Sequence, residues 1–203
     1  MRKQAKRILI SICMIVVLFV FSAGAASASF FDNFNTENGG VGLLNYNNFT
    51  QWQITNGTVD LIGSPGFWNY FPSYGLYVDL DGSSGQAGIM TTKTTFAPGS
   101  YKLEFLLAGS QRGDTNTVDI SMGNWTQTLT LNSSDPLTLY SYNITINTVG
   151  PLSFHNRGGD DVGAILDNVS VSASSSTVPI PAAAWLLGSG LLGLVGLRKK
   201  FNK

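Results

Sequence analysis

The chain has 203 residues, and its 12 basic and 12 acidic side chains give a formal net charge of zero. This length fits one domain of ordinary size plus terminal segments and excludes a second full domain. One cysteine, Cys13, one histidine, His155, and no Gly-x-Ser-x-Gly motif exclude a disulfide framework, the familiar catalytic triads and most zinc sites.

The first 28 residues have the three parts of a signal peptide. Basic residues at positions 2, 3, 6 and 7 precede the largely apolar run 8–21, and Ala-Ser-Ala at 26–28 is an A-x-A cleavage pattern. We therefore expect a signal helix, export through the Sec machinery and cleavage by signal peptidase, with the mature chain beginning at Ser29. The exported chain would then lack Cys13 and any thiol.

Charge is divided unevenly along the chain. All twelve acidic residues lie between the two terminal segments, against four basic ones, which gives that region a net charge of −8. Such a surface repels nucleic acid and anionic lipid, and it suits neutral sugars or divalent cations better. A plainer alternative is that the negative charge only keeps an exported domain soluble.

Residues 29–173 predict an all-β domain, because short β-type runs separated by Gly, Asn, Asp and Pro recur at the spacing of a sandwich. Asn56-Gly57 predicts a type I′ hairpin between runs 51–54 and 58–62. Alternation over 76–81, 101–107 and 140–146 predicts strands with one buried face. The predicted fold is an antiparallel β-sandwich with jelly-roll connections.

Four segments of this region loosely resemble parts of the galactose-binding-like jelly rolls. They are residues 75–82 (GLYVDLDG), 96–105 (FAPGSYKLEF), 108–112 (AGSQR) and 166–171 (LDNVSV). The resemblance covers about 100 residues. It implies the same fold and a carbohydrate ligand.

Two loops supply candidates for a sugar site. Residues 66–71 are rich in rings that could stack on a pyranose or, alternatively, fold back as core plugs. Residues 154–161 offer polar groups for hydroxyls, or simply a charged turn rich in glycine. The candidate ligand-binding residues are Trp68, Tyr70, Arg112, Asn156, Arg157 and Asp160.

Asp167 is a candidate metal ligand. Strict alternation places it on the same face as Ile165, Val169 and Val171, pointing into the core, where a carboxylate needs a partner. One partner is a structural calcium ion shared with Asp32 or Glu37, as galactose-binding-like folds commonly have. The other is a loop amide, Arg112 or Arg157.

Other carboxylates leave two hypotheses open. Asp79 and Asp81 share a face and, with Gly82, resemble a fragment of a calcium loop without the full EF-hand pattern, although a solvated strand end explains them equally well. A glycosidase-type pair among Asp79, Asp81, Asp160 and Asp161 is the one enzyme hypothesis that remains. We expect no enzymatic activity.

The C-terminal segment has the features of a stop-transfer helix. Residues 182–197 carry no charge and would span about 24 Å as a helix, and the basic tail 198–203 favours a cytoplasmic end. Glycines at 188, 190, 193 and 196 disfavour the alternative, a buried core helix. We expect a transmembrane helix.

Residues 174–181 precede this helix as a linker that ends in a proline motif. The run Val178, Pro179, Ile180, Pro181 and Ala182, followed by the apolar segment and basic residues, resembles the VPLPA variant of the PEP-CTERM sorting tail. The resemblance implies processing by an exosortase, a membrane-embedded cysteine transpeptidase of Gram-negative bacteria that make exopolysaccharide. Ile180 replaces the more usual Leu, and Pro179 stands where the parent motif has Glu.

These features together predict an exported protein of the cell surface or the exopolysaccharide matrix, associated with biofilm, whose jelly roll binds carbohydrate. A membrane-tethered intermediate would precede its final location. The alternatives are a purely structural matrix protein without a ligand and, less favoured, a glycan hydrolase.

Overall fold

A computed structural model describes residues 29–174, which form an antiparallel β-sandwich and confirm the predicted fold class. The predicted signal helix, sorting motif, transmembrane helix and basic tail lie outside the described residues. Across 29–174 there is no helix with the length and apolar character to cross a bilayer.

The described chain contains eleven strands and one short 3-10 turn at Glu37–Gly40. The strands are β1 Ser29–Asp32, β2 Trp52–Thr55, β3 Asp60–Gly63, β4 Leu76–Asp79, β5 Ile89–Phe96, β6 Gly99–Ala108, β7 Thr115–Met122, β8 Trp125–Asn132, β9 Thr138–Ile146, β10 Gly150–Asn156 and β11 Ile165–Ala173.

The strands form two sheets. The six-stranded sheet has the order β3-β4-β11-β6-β9, with β1 also paired to β11, and the five-stranded sheet has the order β2-β5-β10-β7-β8. From β4 to β7 each strand crosses to the opposite sheet, which is the chain path of a jelly roll. The first and last strands are neighbours, with Ser29 opposite Ser172.

The space between the sheets holds the main hydrophobic core. Trp52, Phe105 and Phe154 are fully buried there, and the Phe105 and Phe154 rings meet edge to face with centroids 5.2 Å apart. Strand β6 alternates as predicted, and its inward-facing residues are Tyr101, Leu103, Phe105 and Leu107. Burial of such rings is the main stabilising term of the fold.

The predicted Asn56-Gly57 hairpin is wrong. Strand β2 pairs with β5 in one sheet, and β3 pairs with β4 in the other. Asn56 does adopt a positive φ of 57°, but the chain uses it to cross between the sheets. Glycine is required at 57 because a Cβ there would lie 2.5 Å from the carbonyl oxygen of Ala87.

Strand β4 departs from the prediction of one buried face, since all four of its residues are buried. Its outer side carries Tyr77, which packs with Ile62, Ala108 and Ile165 in a second cluster on the outer face of the six-stranded sheet. Loop side chains including Phe71 cover this cluster. Asp79 and Asp81 are also fully buried, so their interpretation as a solvated strand end is wrong.

A bulge in β11 overturns the alternation assumed for Asp167. The register against β6 shifts between Asp167 and Ser170, and Asn168 takes a positive φ of 47°. Leu166 and Val169 therefore both face the main core, while Ile165 belongs to the second cluster. Asp167 follows Ile165 on that outer side, and it is nevertheless fully buried.

Candidate ligand-binding site

The loop of residues 64–75, here called the aromatic loop, joins β3 to β4 and covers the second cluster. Its backbone is tied to the strands by hydrogen bonds. The Tyr77 hydroxyl donates to the Trp68 carbonyl oxygen at 3.0 Å and accepts from the Phe71 amide at 3.1 Å. Burial raises the pKa of Tyr77, and the hydrogen bond from the Phe71 amide opposes that rise.

The rings of the aromatic loop divide into two groups. Tyr70 and Phe71 are half-buried and pack against the second cluster, as the core-plug alternative expects. Phe67, Trp68 and Tyr74 are 43%, 39% and 38% exposed. The loop therefore presents three partly exposed rings from a backbone that the Tyr77 hydroxyl holds in place.

Arg112 lies against this loop. Its guanidinium carbon is 5.1 Å from the centroid of the Trp68 ring, a cation–π contact. The guanidinium also forms an ion pair with Asp79, which accepts hydrogen bonds from the Asp81 amide at 3.0 Å and the Gly163 amide at 2.9 Å. These contacts fix Arg112 beside the exposed indole.

The electrostatics of this pair are set by burial. Burial raises the pKa of Asp79 to about 7, and the Arg112 charge and the two amides oppose that rise. Burial also raises the pKa of Tyr70, and the positive charge of Arg112 opposes that rise. The structure thus brings the predicted residues Trp68, Tyr70 and Arg112 together.

The remaining three predicted ligand residues do not form a common loop mouth. Asn156 is fully buried, because it continues the inward-facing row of β10 after Leu152 and Phe154. The next residue, Arg157, points to the outer face of the five-stranded sheet, where its Nε and Nη2 atoms donate to Asp119 at 2.6 and 2.8 Å. Asp160 is exposed beyond both.

Asp32 and Glu37 each bind their own protein donors. Asp32 accepts hydrogen bonds from the Phe34 amide at 2.8 Å and the Trp52 indole at 2.9 Å. Both oxygens of Glu37 accept from the Thr50 amide, at 2.9 and 3.0 Å. The two carboxylates thereby anchor the segment between β1 and β2.

Asp167 has no arginine partner, since both arginines of the described chain pair elsewhere. Its Oδ1 atom accepts a hydrogen bond of 2.7 Å from the Asn168 amide. Burial raises the pKa of Asp167 to about 7; the Asn168 amide lowers it, and the charge of Asp32 raises it further. Between residues 29 and 174, no three Asp, Glu, His or Cys side chains group as a metal site. Calcium at these carboxylates stays a prediction.

Sequence reasoning missed Phe67, Tyr74 and Tyr77 as parts of the site. Phe67 lies within the ring-rich run 66–71 that was considered, so composition alone could have included it. The role of Tyr77 could not be predicted from its neighbours in sequence, because its hydroxyl forms hydrogen bonds with residues six and nine positions earlier in the chain.

Comparison with known proteins gives similarity in solved structures alone. No family model matches the chain, and no curated protein matches it. The CBM22-1–GH10 modules of a Clostridium thermocellum endo-1,4-β-D-xylanase, complexed with xylohexaose, are 14% identical, with 68% of this chain and 29% of that chain covered and a TM-score of 0.42. This chain therefore spans less than a third of that protein.

Two shorter structures are covered almost completely. The K3 adhesin domain of Lys-gingipain from Porphyromonas gingivalis is 16% identical, with 73% of this chain and 100% of that chain covered and a TM-score of 0.46. A CBM35 from Paenibacillus barcinonensis is 18% identical, with 64% and 98% covered and a TM-score of 0.37. At these identities the likeness concerns the fold alone.

Replacing Tyr77 with phenylalanine is expected to lower the free energy of unfolding by about 1–3 kcal/mol, because the Phe71 amide loses its acceptor and the Trp68 carbonyl keeps only the Tyr70 amide as a donor. Urea unfolding measures the loss, and hydrogen exchange at the Phe71 amide should accelerate. Tyr101→Phe is the control, since it removes one hydrogen bond of 2.8 Å to Ala97. Equal exchange at Phe71 in the two variants would contradict the role given to Tyr77.

Proposed function

We propose that the protein is an exported component of the cell surface or extracellular matrix whose sandwich binds carbohydrate at the aromatic loop. The observation that carries the proposal is the set of partly exposed rings of Phe67, Trp68 and Tyr74 beside the fixed guanidinium of Arg112. The apolar face of a sugar ring stacks on aromatic rings, and a few convergent polar groups fix its orientation. The aromatic loop supplies both elements.

The charge balance favours a neutral glycan. The region between the terminal segments has a net charge of −8, and Asp79 already pairs with Arg112. An anionic ligand would have to approach against that field without an unpaired cation at the site. The same negative charge repels nucleic acid and disfavours it as a ligand.

Delivery to the envelope is proposed from the terminal segments of the sequence. The signal peptide implies the Sec machinery and signal peptidase, and the motif at 178–182 implies an exosortase-type transpeptidase. In this proposal the C-terminal helix contacts the membrane transiently, and exopolysaccharide is the neighbouring glycan. The intact mass of the extracellular form tests this part, because it fixes both termini and reveals any attached group.

Binding is tested with glycan arrays and polysaccharide pull-down. Trp68→Ala is expected to lower affinity for any glycan that binds by about tenfold or more, through loss of roughly 1–2 kcal/mol of stacking. Leu139→Ala is the matched control, since Leu139 is an apolar side chain with 59% exposure outside the aromatic loop. It should bind as the wild type does.

Three outcomes distinguish the alternatives. Binding that survives Trp68→Ala would contradict the assigned site. No glycan binding, together with an altered biofilm on deletion, would support a structural matrix protein without a ligand. Turnover of a bound glycan that one Asp→Asn change abolishes would support a hydrolase.

A further inference from the structure

Five buried side-chain polar atoms in the described part of the chain have no hydrogen-bond partner, and all lie at one end of the sandwich. They are Asp81 Oδ1, Arg112 Nε, Asn116 Oδ1, Asn156 Nδ2 and Asp161 Oδ1. Protein interiors pair nearly all such atoms with protein groups, water or ions. The concentration of exceptions in one place therefore needs a local explanation.

This end of the sandwich, here called the polar end, lies where β4, β7 and β10 meet residues 157–164. Asn116 and Asn156 continue the inward-facing rows of β7 and β10, so that polar side chains replace the apolar core at its last layer. Residues 157–164 lie over them. Asn116 Nδ2 donates to the Val162 carbonyl oxygen at 2.8 Å, and the Asp160 amide donates to Asp81 Oδ2 at 3.4 Å.

Residues 157–164 approach the buried groups too closely for side chains at two positions. A Cβ at Gly158 would lie 2.6 Å from Asn156 Nδ2 and would also overlap Asp81 Oδ2. A Cβ at Gly163 would overlap Asp79 Oδ1 and lie 2.9 Å from the Asp81 Cβ. The segment is therefore fitted tightly over carboxylates.

Negative charge at the polar end exceeds the positive charge available to it. Both arginines of the described chain are already paired: Arg112 with Asp79 in this cluster, and Arg157 with Asp119 on the outer face of the five-stranded sheet. Asp81 is fully buried without a cationic partner, and the charges of Asp160 and Asp161 act on it. A counter-charge would stabilise the ionised form of a carboxylate buried in this position.

We propose that a calcium ion binds at the polar end, with Asp81 Oδ1, Asp161 Oδ1 and Asn116 Oδ1 as side-chain ligands. Calcium takes six to eight oxygen ligands in flexible geometry, including carboxylates, amide oxygens, backbone carbonyls and water. Three of the five unpaired atoms, two carboxylate oxygens and one amide oxygen, match that set, whereas the other two are N–H donors and do not ligate a cation. The site is distinct from the calcium predicted at Asp32, Glu37 and Asp167, and it does not depend on carbohydrate binding.

The experiment uses the full chain, freed of metal with EDTA and then titrated with calcium chloride. Isothermal titration gives the affinity, and the melting temperature reports stabilisation, which is expected to rise by several degrees at saturating calcium. Asp81→Asn and Asp161→Asn should each weaken calcium binding at least tenfold. Asp135→Asn, in the turn between β8 and β9, should keep the wild-type affinity.

Each other outcome overturns the inference. No heat and no melting shift on adding calcium would mean that water satisfies the five atoms. Wild-type affinity in both Asp81→Asn and Asp161→Asn would mean that calcium only screens the negative surface or binds elsewhere. Loss of binding in Asp167→Asn with retention in Asp161→Asn would move the ion to the other predicted site. Asp161→Asn keeps the test decisive if Asp81→Asn fails to fold, because Asp161 is partly exposed.

Discussion

Replacing Arg112 with glutamine is expected to lower the free energy of unfolding by about 3–5 kcal/mol at pH 8, because the fully buried Asp79 would lose its counter-charge and would have to stay ionised without it or take up a proton. The pKa of Asp79 is about 7 with Arg112 in place, and it would rise further without that charge. At pH 5 the carboxyl of the variant would be protonated, so the loss should be smaller. Urea unfolding at both pH values measures the difference.

Two controls separate this pair from ordinary surface charge. Arg157→Gln breaks an ion pair whose side chains are 59% and 36% exposed, and it should cost no more than about 1 kcal/mol. The double variant Arg112→Gln/Asp79→Asn should recover much of the stability lost at pH 8, because no buried charge remains. Equal losses for the two arginine variants would show that Asp79 is not held by Arg112.

Asp167 is expected to make the protein less stable as pH rises, when EDTA removes free calcium. Its pKa is about 7 in the folded chain, against about 3.9 for an unperturbed Asp, so the folded state binds the extra proton between these values. The resulting stability is fully present below about pH 4 and is lost as pH rises through about 7. Asp167→Asn should therefore stabilise the protein at pH 8 by on the order of 2 kcal/mol.

The pH dependence must be compared between variants, because the pKa of Asp79 is raised in the same direction. The wild type and Asp135→Asn should lose the same stability between pH 4 and pH 8, and Asp167→Asn should lose less. An identical slope in all three would contradict the raised pKa. Calcium that raises the melting temperature of the wild type but not of Asp167→Asn would support the predicted ion at Asp32, Glu37 and Asp167.

The sequence predicted the sandwich where side-chain alternation runs without interruption, as in β6 and β9. It failed where a distant contact overrides the local pattern. The Asn56-Gly57 signal was correct about backbone conformation and wrong about pairing, because β2 and β3 belong to different sheets. The sequence of β11 gave no sign of the bulge at Asn168. Strict alternation was assumed along the whole strand, and the bulge interrupts it.

The sequence predicted several residues of the candidate site, but it did not predict how they are arranged in space. The aromatic run identified Trp68 and Tyr70, but their approach to Arg112 joins segments about forty residues apart, which periodicity cannot report. Asn156 and Arg157 were grouped because they are adjacent, although neighbours in a strand point to opposite sides. Asp79 looked exposed because the sequence does not show that a loop packs over the outer side of its strand.

Pairing of Ser29 with Ser172 means that the polypeptide enters and leaves the sandwich at one pole. The Asp79 that holds Arg112 lies opposite Ile165, at the far end of the same strand, seven residues and about 23 Å away. A tether joined at either terminus would therefore act as a stalk. The Asp79–Arg112 pair, and the Trp68 ring against which Arg112 lies, would then be at the end of the sandwich away from that stalk.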